Sequence, residues 1–186
     1  MTLRPTQEAL AAALRQYAIR EGEFTLNSGR TSRWYLDGRQ VGFRGDCLAM
    51  VGDAIVDALA VAGITSDDYD AVGGPVVGAI PVALAVALVT GKPAFAIRKE
   101  AKDHGVGGRI AGVLEDGQRV LIVEDTATTG KALVESLPAV EALHCSIVAI
   151  ALLLDRGGEL GARLVDAGIP YVPVLGAPDL GYEFGS

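Results

Sequence analysis

RVLIVEDTATTGK, residues 119–131, passes from an unbroken apolar run into two carboxylates and then into a Thr- and Gly-rich turn. Val120 to Val123 do not alternate apolar with polar, and neither does IVAIALLL at residues 147–154. Continuous apolar strands of this kind belong in a parallel sheet covered on both faces. Working outward, candidate strands at Tyr69–Val72, Pro93–Ile97, Arg119–Val123, Ser146–Leu154 and Ile169–Leu175 alternate with candidate helices. One helix runs from Gly73-Gly74-Pro75 to Gly91, one from Thr129 to Leu143 with a kink at Pro138, and one from Glu159 to Ala167. The N-terminal part reads differently. Leu10, Leu14 and Tyr17 share one stripe of a helix over Thr6–Arg20, stopped by Gly22. A hairpin over Phe24–Val41 follows, then a helix capped by Asp46 that reaches Gly63. The fold expected is α/β, a central mainly parallel sheet flanked by helices. It is expected to form a single domain over residues 1–186, with a small N-terminal part to about residue 42 and the core from about residue 43.

Composition narrows the function. Half of the residues are apolar and 21% are charged, which suits a folded globule. Sixteen basic residues stand against twenty-three acidic ones, a net charge of −7. That balance argues against a nucleic-acid backbone as the main partner, because such binding runs on lysine and arginine displacing counterions. Cys47 and Cys145 are far apart and have no CxxC partner, which suits a reducing cytoplasm. The longest apolar run, Ala79–Val89, falls short of the roughly 20 residues of a membrane span. Met1-Thr2-Leu3-Arg4-Pro5 shows no apolar leader core, so a cytoplasmic location without membrane attachment is expected.

In parallel sheets, ligands sit outside the carboxyl ends of the strands. After VLIV the chain offers Glu124, Asp125, Thr126, Ala127, Thr128, Thr129, Gly130 and Lys131. A Thr/Gly turn opening a helix supplies N–H groups, hydroxyls and a dipole to a phosphate. A Walker-type loop does not fit: Asp125 holds the first Gly position, and Ala132 follows the lysine where a metal-binding hydroxyl is required. The two acids would repel a polyphosphate lying on this turn but would accept hydrogen bonds from a vicinal diol. A ligand with one phosphate on the turn and a ribose diol over the acids meets both conditions. Taken alone, the same residues could serve only as a helix cap.

Val120–Gly130 resembles the phosphoribosyl-diphosphate (PRPP) motif of the type I phosphoribosyltransferases: apolar strand, two acids, Thr-Thr-Gly turn. A second segment, Arg98-Lys99-Glu100-Ala101-Lys102-Asp103-His104-Gly105, gathers basic residues in an acidic chain, with Gly107, Gly108 and Arg109 following. It is similar to the RKxxKDHG catalytic loop of the orotate phosphoribosyltransferases at every specified position. Phe24 to Gly29, with Ser32, Tyr35 and Asp37, is similar to that subfamily's N-terminal hood, and Arg156 matches its orotate-binding arginine. In isolation Arg156 would read as a surface arginine paired with Asp155 or Glu159, and the hood as an ordinary hairpin.

The resemblance implies the activity, transfer of the phosphoribosyl group of PRPP to orotate, and the site. Arg98, Lys99, Lys102 and His104 would act on the leaving diphosphate. Glu124 and Asp125 would hold the ribose, and Thr126, Ala127, Thr128, Thr129, Gly130, Lys131 and Ala132 would hold the 5′-phosphate. Gly74 and Pro75 would lie at the diphosphate, and Phe24, Ser28, Thr128 and Arg156 around orotate. It further implies Mg²⁺ chelated mainly by PRPP, with no protein residue assigned to it, and a homodimer whose loops are shared between sites. Three departures stand out: Asn27 and Val77 where many members carry lysine, and Ala132 where serine is common. A purine phosphoribosyltransferase and a non-catalytic PRPP sensor are the alternatives. The hood and the basic loop argue against the first, and the net charge with its basic residues confined to one loop argues against the second.

Overall fold

A computed structural model of the protein describes residues 2–25, 31–102 and 108–184. Six strands form the main sheet: β3 (Ala71–Pro75), β4 (Ala94–Lys102), β5 (Gly108–Gly112), β6 (Arg119–Ala127), β7 (Ser146–Asp155) and β8 (Tyr171–Gly176). Their spatial order is β5-β4-β3-β6-β7-β8, parallel throughout except for the antiparallel β4–β5 pair. From β3 the chain moves outward through α4 (Ala79–Thr90) to β4 and β5, then returns to the other side of β3 for β6, β7 and β8. The order therefore reverses between β3 and β6, and a ligand crevice is expected at their carboxyl ends.

Apolar residues on β6 alternate between two cores. Leu121 and Val123 join α3 (Leu48–Val61) and α4 on one face, while Val120 and Ile122 join the segments after β6 on the other. This explains why VLIV is uniformly apolar: both faces of the strand are dry. Helices α3 and α4 cross where Gly52 meets the backbone of Ala85, and a Cβ at Gly52 would lie 2.3 Å from the Ala85 carbonyl oxygen. A smaller sheet pairs β1 (Ile19–Thr25) with β2 (Thr31–Leu36). Its inward residues Ser32, Trp34 and Leu36 are buried, and Trp34 and Leu36 belong to the same core as α1 (Pro5–Ala13) and α3.

Several expected boundaries are corrected. The first helix does not reach Arg20; it widens into a π-helical turn over Leu14–Ala18, and β1 begins at Ile19. Gly22, at φ +154°, lies inside a bulge between Glu21 and Phe24 rather than ending a helix. The second strand stops at Leu36, and a single turn, α2 (Arg39–Gly42), replaces its expected end. Asp46 does not cap α3; its carboxylate is taken by Arg44 at 2.6 Å. The long helix after β6 is two short turns, α5 (Lys131–Val134) and α6 (Pro138–Glu141). Between them the Ser136 hydroxyl donates to the Leu133 carbonyl at 2.6 Å, and Pro138, lacking an N–H, starts a new turn. Helix α7 (Leu160–Asp166) then leads into β8.

Candidate active site

Strand β6 runs past Val123, so Glu124, Asp125 and Thr126 are strand residues with fixed directions rather than loop residues. The Asp125 N–H donates to Glu124 Oε1 at 3.1 Å, and the Thr126 N–H donates to Asp125 Oδ1 at 2.7 Å. Two glycines press on the Asp125 side chain. A Cβ at Gly78 would lie 2.6 Å from Oδ1, and one at Gly38 would lie 2.9 Å from the Asp125 Cβ. Both glycines have ordinary right-handed backbone angles, so the need for glycine here is spatial. Burial, with the Asp125 charge adding to it, pushes the Glu124 carboxyl well above its usual range. Burial also raises the Asp125 carboxyl, against the pull of the Thr126 N–H. The diad is thus desolvated and held, ready to accept from hydroxyls.

The turn after the acids is closed from two sides. Gly130 takes φ +63°, and Gly158, after β7, approaches so closely that a Cβ would lie 2.4 Å from the Thr128 carbonyl oxygen. Because α5 is one turn long, the turn's own amides and hydroxyls carry any phosphate contact, not the macrodipole first expected. Thr129 Oγ1 accepts from the Lys131 N–H at 3.4 Å, and the Lys131 ammonium lies along the exposed side of α5, 3.7 Å from Glu135.

Gly74 and Pro75 end β3 beside β6. A Cβ at Gly74 would fall 2.0 Å from the Val123 carbonyl oxygen, and the backbone of Gly73-Gly74 is buried. Val76 and Val77 follow as exposed apolar residues with no charge to offer. Beyond them Arg98, Lys99, Glu100, Arg109, Ala132, Glu135 and Ser136 join Pro75 and Val76 around a cavity of about 310 Å³. The polar stretch after Ile97, expected as a loop, is a continuation of β4: Arg98 to Lys102 extend the strand, Lys102 pairs with Gly108, and β5 returns antiparallel. Strand β5 was not legible because its residues, GRIAG, carry no apolar run. Arg109 braces this arm, donating to the Arg98 carbonyl at 2.9 Å and to the Glu135 carbonyl. His104, Ser28 and Asn27 lie outside the described residues.

On the other side of Asp125 a cavity of about 260 Å³ is lined by Tyr35, Leu36, Asp37, Arg39, Gly78, Asp125 and Thr126. Arg39 is clamped by Asp37, Nε to Oδ1 at 2.6 Å and Nη2 to Oδ2 at 3.1 Å. Phe24 packs on Tyr35 with ring centroids 5.6 Å apart. Arg156 is not the surface arginine it would be in isolation. It is 6% exposed, its backbone N–H donates to the Ala127 carbonyl at 3.0 Å, and its guanidinium lies over the Trp34 ring. Sequence reasoning missed Gly38, Gly78, Arg39 and Trp34. The only signal was proximity: Arg39 stands two residues after Asp37, and Gly78 opens α4.

The described residues contain no group of three His, Cys, Asp or Glu side chains that could hold a metal ion. The half-buried Glu124–Asp125 pair offers two carboxylates, a donor set that fits a cation sharing its coordination with phosphate oxygens. No helix among the described residues is long and apolar enough to cross a membrane.

Two half-buried acids stand at the sheet's switch point with a Thr-Thr-Gly turn after them, and the phosphoribosyl transferase domain family matches residues 53–166. An orotate phosphoribosyltransferase of Corynebacterium glutamicum is 37% identical over 175 residues, covering 92% of each chain. One from Thermococcus gammatolerans is 36% identical over 163 residues, covering 88% of this chain and 85% of its own. The crystal structure of the Mycobacterium tuberculosis orotate phosphoribosyltransferase in complex with PRPP superposes with a TM-score of 0.78 at 33% identity, covering 96% of this chain and all of that one. The chain belongs to the orotate phosphoribosyltransferases, within the phosphoribosyl transferase family.

Proposed function

We infer that the chain transfers the 5-phosphoribosyl group of PRPP to orotate, giving orotidine 5′-monophosphate and pyrophosphate, a step of pyrimidine nucleotide synthesis. The observation that carries this is the desolvated Glu124–Asp125 pair, set directly before the phosphate turn and within one strand of Arg156. The orotate ring nitrogen, having given up its proton to solvent, forms the bond to ribose C1 as the bond from C1 to the diphosphate oxygen breaks. Positive charge develops on the sugar and negative charge on the leaving group.

Each part of the crevice meets one demand of that reaction. Glu124 and Asp125 accept from the ribose hydroxyls and hold C1 in line. The amides and hydroxyls of residues 126–131 hold the 5′-phosphate. The backbone of Gly74-Pro75 faces the diphosphate, and Arg98, Lys99, Lys102 and His104 supply the positive charge that stabilises it as it leaves. Val77 adds no cation there, so the arm's basic residues carry that task. Mg²⁺, bound by the donor's own oxygens, would neutralise part of the diphosphate charge. Phe24, Thr128 and Arg156 surround the orotate, to which Ser28 is also assigned, and the orotate carboxylate suits a guanidinium fork.

The assembly we propose is a homodimer in the cytoplasm, each arm reaching its partner's crevice. Leu84 and Leu88, one turn apart on α4 and 51% and 61% exposed, offer apolar surface for such a contact. The deciding assay follows the ultraviolet absorbance of orotate with PRPP, with and without Mg²⁺, beside adenine, hypoxanthine and xanthine. Turnover of orotate alone is expected, and turnover of a purine instead would overturn the acceptor. Mixing a Lys102→Ala chain with an Asp125→Asn chain should restore activity in heterodimers, and no recovery would rule out shared sites.

A further inference from the structure

The hood and the end of the chain meet over Arg156. The guanidinium carbon lies 4.2 Å from the centroid of Trp34, and Trp34 stacks on Tyr182 with centroids 4.3 Å apart and planes within 13°. Trp34 is 1% exposed. Tyr182 comes from a segment that is itself pinned. A 3₁₀ turn over Ala177–Leu180 is closed by the Gly176 N–H donating to Asp179 at 2.8 Å, and Arg15 donates to the Asp179 carbonyl at 2.7 Å. Gly181, at φ +92°, then turns the chain so that the Tyr182 hydroxyl donates to Glu21 of β1 at 3.1 Å. Neither Trp34 nor Tyr182 falls in the segment 53–166 matched by the family.

We propose that Tyr182 is a positioning residue for the acceptor: it holds Trp34, which fixes the plane of the Arg156 guanidinium that meets the orotate carboxylate. A planar fork binds a carboxylate through two parallel hydrogen bonds only when its edge points the right way. A long arginine side chain left loose would lose that orientation on binding at an entropic cost. The indole restrains one face of the fork by cation–π attraction, and the Tyr182 stack restrains the indole. Burial lowers the Arg156 pKa, a sign that the guanidinium sits in a poorly solvated place where a carboxylate is attracted more strongly than in water. The C-terminal segment therefore sets acceptor affinity without touching the donor.

This inference rests on the reading of Arg156 as the orotate arginine, so the experiment separates the two. Steady-state kinetics are measured for Tyr182→Ala, Tyr182→Phe, Arg156→Ala and the Arg156→Ala/Tyr182→Ala double variant. Tyr182→Ala should raise the KM for orotate roughly three- to tenfold and leave kcat and the KM for PRPP within about twofold. Tyr182→Phe keeps the stack and loses only the hydroxyl contact, so its orotate KM should stay near wild type. In the Arg156→Ala background, Tyr182→Ala should add nothing. Trp34 is the chain's sole tryptophan, so its emission on orotate addition should titrate at higher orotate in Tyr182→Ala than in Tyr182→Phe. A rise in orotate KM for Arg156→Ala with none for Tyr182→Ala would overturn the positioning role and spare the acceptor reading. Equal rises in both substrates' KM for Tyr182→Ala would overturn it as well. An unchanged orotate KM for Arg156→Ala would overturn the acceptor reading itself.

Discussion

Strands β6 and β4 both run beyond the body of the sheet, and they end in opposite ways. Strand β6 keeps neighbours to its end, pairing with β7 through Ala127, and its acids are walled by Gly38 and Gly78. Strand β4 leaves the sheet with only β5 beside it, carrying Lys99 and Glu100 in the open. The walled end tunes its groups: desolvation lifts both carboxyls of the half-buried diad. Charges on the exposed end keep their hydration. In the proposed reaction, one end would hold a neutral sugar in a fixed place and the other would bring positive charge to a leaving group. Position is the scarce quantity at β6 and charge at β4.

Substitutions can break that contrast. The largest effect is expected for Lys102→Ala, which should lower the transfer rate by about 100-fold or more with unchanged thermal unfolding, because a transition-state charge contact is lost from an exposed arm. A rate within a few-fold of wild type would remove the arm from the chemistry. Gly78→Ala comes next. Its backbone angles suit alanine, so the only insult is the new Cβ against Asp125 Oδ1. kcat/KM for PRPP should fall about 10- to 100-fold if placement of the acid matters. Gly45→Ala, where nothing lies within 4 Å, is the control and should match wild type.

A pH titration sharpens the comparison further. A protonated Glu124 cannot accept from a hydroxyl as a carboxylate does, and its folded pKa is raised. PRPP affinity, measured by calorimetry, should therefore strengthen with pH through a limb lying above the ordinary glutamate range. Glu124→Gln should remove that limb while the donor's own titration remains. For stability the sign is opposite. A carboxyl with a raised folded pKa opposes folding above its unfolded value, so Glu124→Gln should raise the unfolding temperature at neutral pH. The smallest effect belongs to a pair at the far end of the sheet. Arg119 holds the Asp70 carboxyl down to about 2 from 3.8. The contribution of that pair is complete above the unfolded value and is lost as the pH falls toward the folded one. Asp70→Asn should cost no more than a few degrees at neutral pH, read by thermal unfolding, and leave activity alone.

How far the chain could be read beforehand follows the same divide. VLIV and IVAIALLL announce dry strands because two apolar faces leave no place for polar residues. The diad and turn were legible because they are contiguous: strand, acids and Thr-Thr-Gly follow one another in the sequence. The arm was misread because KEAK and GRIAG have no apolar period; GRIAG is a strand because its backbone pairs with Phe95–Ile97, and only Lys102 of KEAK pairs with it, at Gly108. Gly22 was misread for a related reason, since a glycine serves a bulge as readily as a helix end.

Local order alone announced the alternation of strand and helix, the family resemblance, and the run of acids into a Thr-Thr-Gly turn, because each of these motifs is contiguous in the chain. The slot that Gly38 and Gly78 make for Asp125, and the layering of Tyr182, Trp34 and Arg156, came only with folding. Residues 38, 78 and 125, like 34, 156 and 182, are far apart along the chain, and nothing in their own neighbourhoods encodes the contact. It arises when the hood and the last turn close over the sheet, where close packing leaves room for a hydrogen at one place and for a flat ring at another.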